Sequence, residues 1–123
     1  MTFDTLAPGL FVVRYPTAAD LAPEAQTGLI DAVERALEAG PVAIVFDVGK
    51  DVHMVELSVP SFWLDATDRL PLRAMSIIAR SVAVRIAAGG FKLAQTMRRQ
   101  PIAVEVHQTE AEALSWARAQ LSR

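Results

Sequence analysis

Apolar residues recur along this chain in two periods, and the alternation between them sets out the elements. Gly9-Leu-Phe-Val-Val-Arg-Tyr15 is rich in β-branched and aromatic residues and is stopped by Pro16, which predicts a strand. Residues 2–6 predict a short strand before it, turned by Pro8-Gly9. Asp20-Leu-Ala-Pro-Glu24 has the signs of a helix start: a capping acid, an early proline and a first-turn acid. Leu29, Ile30, Val33 and Leu37 then share one helical face, and Gly40-Pro41 ends it. Val42-Ala-Ile-Val-Phe46 is continuously apolar, as a strand covered on both sides must be.

The second half repeats the alternation. A helix is predicted from Ser58 to Leu70, with Phe62, Trp63 and Ala66 turned partly inward, and a strand over Leu72–Ala79. From Ser81 to Arg99 the apolar spacing of Val82, Ile86, Leu93 and Met97 predicts a third helix. Gly89-Gly90 interrupts it at about 1 kcal/mol per glycine against alanine, a cost that points to a kink or to another backbone passing close by. Pro101-Ile-Ala-Val-Glu-Val-His107 predicts a strand whose leading proline belongs at a sheet edge. Thr109-Glu-Ala-Glu112 is a capping box, followed by Leu114, Ala117 and Leu121 as an inner face with Trp116 beside it. The order β, β, α, β, α, β, α, β, α defines an α/β class. It is expected as a single domain over 1–123, with a mixed, mostly parallel sheet of four to five strands and about four flanking helices.

Composition narrows the class further. The 123 residues fit one domain, and 52% hydrophobic content is that of a globular chain. No apolar run approaches the roughly 18–20 residues a bilayer span needs. Met1-Thr-Phe-Asp-Thr5 has neither a basic region nor an apolar core, so a cytoplasmic protein is expected. The absence of cysteine excludes disulfides, thiolate nucleophiles and cysteine-ligated zinc. Net charge is -2, yet residues 1–68 hold 11 acids against 3 bases, while 69–104 hold 7 bases and no acid. Either neighbouring elements neutralise one another in the fold, or the segregation makes a docking face for an acidic partner or a second copy. Nucleic acid is not expected, because the basic segment offers only Phe91 for stacking.

Candidate chemistry collects beyond the carboxyl ends of the strands, where open α/β sheets carry their sites. The segment after Phe46 holds Asp47, Lys50, Asp51, His53 and Glu56, then Ser58 and Ser61. Carboxylates beside an imidazole allow a general base or a metal site. No HxH or HExxH spacing is present, and a triad drawn from Ser58, His53 or His107, and Asp47 lacks the G-x-S-x-G elbow. No phosphate-cradling glycine loop occurs either. The plain alternatives are a solvated His53, a His107 that packs or caps at a turn, and a Ser58 that serves as a helix cap. A serine at a helix start can also carry a phosphate, beside free N–H groups and the positive end of the helix dipole. Ser58, and after it Ser61, are the candidate phosphoacceptors.

The strand Val42 to Asp47, its loop, and the helix-start Ser58 resemble the STAS fold of anti-sigma-factor antagonists. Arg80-Ser-Val-Ala-Val-Arg-Ile-Ala-Ala-Gly-Gly-Phe-Lys-Leu-Ala94, followed by Pro101 to Ala117, is similar to the SpoIIAA-like branch. The resemblance implies a non-enzymatic, regulatory protein-interaction module without cofactor or metal. Its implied partner is a kinase-like anti-sigma factor, released when the helix-start serine is phosphorylated. The family motif there is Asp-Ser, then Ser or Thr, then Gly. This chain has Glu56-Leu57-Ser58-Val59, a degenerate form with leucine at the phosphoacceptor position. Asp51, Glu56, Phe62 and Trp63 are the expected partner-binding residues, and exposed aromatics at that helix, with the segregated charge, point to a homodimer. The other functional class is a small-molecule or lipid-headgroup binder, with the glycine-interrupted helix 81–99 as pocket wall and Arg80 and Arg85 as its cations. A third reading is an enzyme built on His53 and the nearby acids.

Overall fold

The computed structural model describes residues 1–123. Its strands are β1 (Thr2–Ala7), β2 (Leu10–Tyr15), β3 (Ala43–Val48), β4 (Ala74–Ile78) and β5 (Ala103–His107). Its helices are α1 (Thr27–Ala39), α2 (Ser58–Arg69), α3 (Val82–Met97) and α4 (Glu110–Leu121). The strands lie in sequence order in one sheet. β1 runs antiparallel to β2, and β2 to β5 are parallel throughout. β5 takes the edge that Pro101 requires, since its start cannot donate to a further strand.

Sequential order has a direct consequence for layering. Right-handed crossovers that always step the same way place α1, α2 and α3 on one face. α4, after the last strand, returns across the other face and touches β3, β4 and β5. Strand alternation then builds two cores. Phe11, Val13, Tyr15, Ile44, Phe46 and Met75 meet Leu29 and Val33 of α1, Trp63 of α2, and Val84 and Phe91 of α3. Leu10, Val12, Val45 and Ile78 meet Ala113 and Ala117 of α4.

The β1–β2 turn depends on one glycine. Gly9 has φ +77°, and a Cβ there would overlap the carbonyl oxygen of Pro41. Chirality and space both exclude a side chain at this point.

Three expectations are corrected. The segment after Asp20 is not the start of α1 but two short 3-10 turns, Ala18–Leu21 and Pro23–Gln26. Pro23 forces Ala22 into an extended conformation, ψ 138°, which prevents one continuous helix. Ser58 is not a cap either: Leu57 holds the capping position without a side-chain bond, and Ser58 is the first helical residue. In α3, Val82, Ile86, Leu93 and Met97 are exposed, and the buried face is Val84, Ala88, Phe91 and Gln95. Both sets repeat at helical spacing. The inner one is selected by the Ser81 cap, whose hydroxyl accepts the Val84 N–H at 3.2 Å, and by the amide of Gln95, which donates to the carbonyls of Gln100 and Ile102. A buried glutamine with both donors satisfied costs little, but periodicity scored it as polar. α3 is continuous through Gly89-Gly90, and no other backbone of this chain approaches either glycine.

Candidate functional site

The carboxyl ends of β2 to β5 and the loop 49–57 form one rim. Strand alternation puts Arg14, Asp47, Ser76 and His107 on the α4 side of it, and there the charges are consumed internally. Asp47 is ion-paired with Arg80. Arg14 bridges Asp4 at 3.2 Å and Glu110 at 2.7 Å. Elsewhere Lys92 pairs with Glu105 at 3.1 Å, and Arg98 with Asp65 and Asp68 at 3.3 and 2.7 Å. The charge segregation along the chain is thus cancelled only in part: Arg80 and Arg98 pair with acids of 1–68, while Arg69, Arg73, Arg85 and Arg99 pair with no acid. His107 does pack and bond, as its position at a strand end implied. Nδ1 lies 2.7 Å from the Ser76 hydroxyl, and the ring lies 5.4 Å from that of Trp116. Ser76 is fully buried. No substrate reaches its hydroxyl, so this serine–histidine contact is structural.

The loop 49–57 is anchored at its middle. Val52 is fully buried, and its carbonyl accepts the Ser81 hydroxyl at 2.7 Å. Around this anchor Lys50, Asp51, His53 and Glu56 are exposed. No hydrogen bond or ion pair joins Asp47, Asp51, His53 and Glu56 to one another, and no three His, Asp or Glu side chains group as metal ligands. Ser58 and Ser61 are exposed at the start of α2. Val59 and Ser61 already donate their N–H groups to the carbonyls of Glu56 and Leu57, and Pro60 has none to offer. A phosphate on Ser58 would meet little of the usual helix-end donor array, with two acids in the loop before it.

Trp63 is corrected as a docking residue. It is buried, edge-on to Phe46 at 4.9 Å and to Phe62 at 5.2 Å. Phe62 is half-buried.

Between α2 and α3 the helices leave an apolar cleft of about 80 Å³. Val55, Val59 and Pro60 form one wall, Val84, Ala87 and Phe91 the other, and Tyr15, Phe46 and Ile77 the floor. Ile77 is half-buried although β4 is an inner strand, and it lines the cleft. Met54 and Leu57, in the loop that supplies Val55, are 70% and 84% exposed. Sequence reasoning read this loop by its charges and passed over its hydrophobic residues. The available signal was Met54, Val55 and Leu57 standing in a segment too polar to be a strand or helix. Neither Arg80 nor Arg85 lines the cleft.

Beneath the floor, the Tyr15 hydroxyl donates to Gln26 Oε1 at 2.7 Å. Burial, and then the negative charge of Asp20, push the Tyr15 phenol far above its ordinary value. Asp20 accepts from the Met1 ammonium at 2.8 Å and from Thr17, which hold its carboxyl below the usual range.

No protein-family model matches this chain, and neither does any curated protein or solved structure.

Proposed function

We propose that this chain is a non-catalytic, regulatory protein-interaction module, of the kind implied by its resemblance to the anti-sigma-factor antagonists of the STAS fold. One observation carries the reading: the apolar cleft between α2 and α3 is open, and the loop on its rim presents Met54 and Leu57 to solvent. Apolar side chains held outward by a loop anchored at Val52 are suited to enter a partner. Asp51 and Glu56 flank them and would steer a basic surface toward the rim. The polar groups of the same rim are paired or dispersed, which favours recognition over catalysis. The kinase-like anti-sigma factor that the resemblance implies is the partner to test. The altered motif and the occupied N–H groups of Val59 and Ser61 favour binding without a phosphoserine switch.

The test is affinity of the purified chain for such a kinase-like protein, compared with Met54→Glu and Leu57→Glu. Loss of roughly tenfold or more for each is expected, as for burial of one large apolar side chain. Equal affinity for all three proteins would remove the cleft rim from the interface.

The cleft also favours a second reading, the small-molecule one. Its lining is apolar with no cation, so the ligand class it suits is a small hydrophobic molecule, not a lipid headgroup. Native mass spectrometry of the purified protein would detect such a ligand as a bound mass.

A further inference from the structure

The cleft between α2 and α3 and the loop on its rim are mechanically joined. Val52 is fixed by the Ser81 hydroxyl, and Leu57 by accepting the Ser61 N–H. Between those anchors no hydrogen bond, of backbone or side chain, holds His53, Met54 or Val55. Of these three only Val55 lines the cleft, while Met54 stands outward with 70% of its surface exposed. Packing alone therefore positions Val55, and whatever enters the cleft presses on it.

Size and lining define what can enter. The cleft holds about 80 Å³, whereas an apolar cavity of about 150 Å³ holds one benzene ring. A ring is too large for it. The end of an unbranched alkyl chain is not, and because the cleft is open the rest of the chain can run out past the rim. No charged side chain lines the cleft. The Tyr15 hydroxyl is taken by Gln26. The Trp63 indole N–H is the one donor among the lining side chains without a protein partner, and it is not sealed from solvent. An uncharged ligand with an oxygen acceptor satisfies it.

The part of the chain left outside the cleft exposes apolar surface to water, and covering it is favoured in proportion to its area. Met54 is the large apolar side chain of the unbonded stretch, and its flexible thioether adapts to an irregular surface. Val55 and Met54 stand on opposite sides of that stretch, so a ligand that pushes Val55 outward carries Met54 inward.

We propose that the cleft binds the end of an uncharged, unbranched alkyl chain carrying an oxygen acceptor, and that the rim loop turns at Val55 to close Met54 over it. The proposal rests on the reading of the cleft as a site for a small hydrophobic molecule, and adds which molecule it takes and what that molecule does to the rim. Met54 cannot cover a ligand and enter a protein partner at once, so the bound chain withdraws one docking residue from the interface.

The test uses 1-octanol and cyclooctanol, which carry the same hydroxyl on a straight chain and on a ring. The protein has two tryptophans, and Trp116→Phe leaves Trp63 as the only one, so its fluorescence titrates the cleft. A saturable change with 1-octanol is expected, with a Kd at least about tenfold below that of cyclooctanol. Ala87→Leu fills the cleft from α3 and should weaken 1-octanol binding about tenfold or more. Met54 is followed in the wild type by hydrogen peroxide oxidation and peptide mass mapping, against Met97, which is 76% exposed on α3 and outside the cleft. With 1-octanol bound, oxidation of Met54 should slow severalfold relative to Met97. Saturation by neither alcohol removes the small-molecule reading and this proposal with it. Equal affinity for the two alcohols keeps that reading and overturns the alkyl-chain assignment. Binding that Ala87→Leu leaves unchanged overturns the site, and a Met54 rate that 1-octanol leaves unchanged overturns the closure.

Discussion

Removal of a single oxygen atom, in Tyr15→Phe, tests how the cleft floor is held. Tyr15 is the only tyrosine, and it is 1% exposed. Its hydroxyl donates to Gln26 Oε1 at 2.7 Å, and the Gln26 amide donates to the carbonyls of Asp20 and Ala22 at 2.8 and 3.1 Å. This chain of bonds ties the end of β2 to the two 3-10 turns. Phenylalanine keeps the ring packing and leaves the buried Gln26 Oε1 unpaired, which costs about 2 kcal/mol near neutral pH. The cost depends on pH in a defined direction. In the unfolded chain the phenol ionises near its ordinary value of about 10, while in the fold burial and the Asp20 charge hold it protonated well above that. The folded state then binds the proton that the unfolded state releases. Stability from Tyr15 is complete below about pH 10 and is lost above it at about 1.4 kcal/mol per pH unit. Tyr15→Phe has no such loss, and the other titrating groups are common to both proteins. The two stabilities should therefore converge at roughly pH 11.5. Urea unfolding of both proteins from neutral to strongly alkaline pH measures the difference, and phenolate absorbance reports the one tyrosine. A phenolate that forms near pH 10 in the still-folded protein, or a stability gap that does not change with pH, would refute the reasoning.

Two further perturbations probe the frame around the cleft. Gly9→Ala combines a positive φ with overlap of the Pro41 carbonyl, so a loss of about 2–4 kcal/mol in chemical denaturation is expected, and unchanged stability would mean the turn is not built this way. Trp63→Ala removes a ring buried between Phe46 and Phe62 and should cost about 3–5 kcal/mol, visible as a large fall in Tm, whereas a side chain that served only for docking would lower partner affinity and leave Tm in place.

Much of the fold was legible because its signals are local. The apolar run at Val42–Phe46, the proline before β5 and the Thr109 cap of α4 each express short-range chemistry, and each element lies where that chemistry puts it. The site was less legible. Asp47, Asp51, His53 and Glu56 are neighbours in sequence, but alternation sends Asp47 to the α4 side and to Arg80, while the other three stay in solvent. The cleft draws its walls from α2 and α3 and its floor from three strands, a combination that exists only after the crossovers are made. His107 was read correctly as a packing residue, but its partners Ser76 and Trp116 are set by strand register and by the return of α4.

α3 marks the boundary most sharply. The sequence by itself determined that a helix forms there, that it offers two apolar stripes, and that glycines stand at its centre. It also determined the α/β class and a largely parallel sheet, because hydrophobic period and chain alternation are properties of neighbouring residues. Only the tertiary structure decided which stripe meets the sheet. The phase of a helix about its own axis is set by contacts from distant segments: the Ser81 hydroxyl reaching the Val52 carbonyl and the Gln95 amide reaching Ile102. Those contacts turn Val84 and Phe91 inward and leave Val82, Ile86, Leu93 and Met97 on the surface.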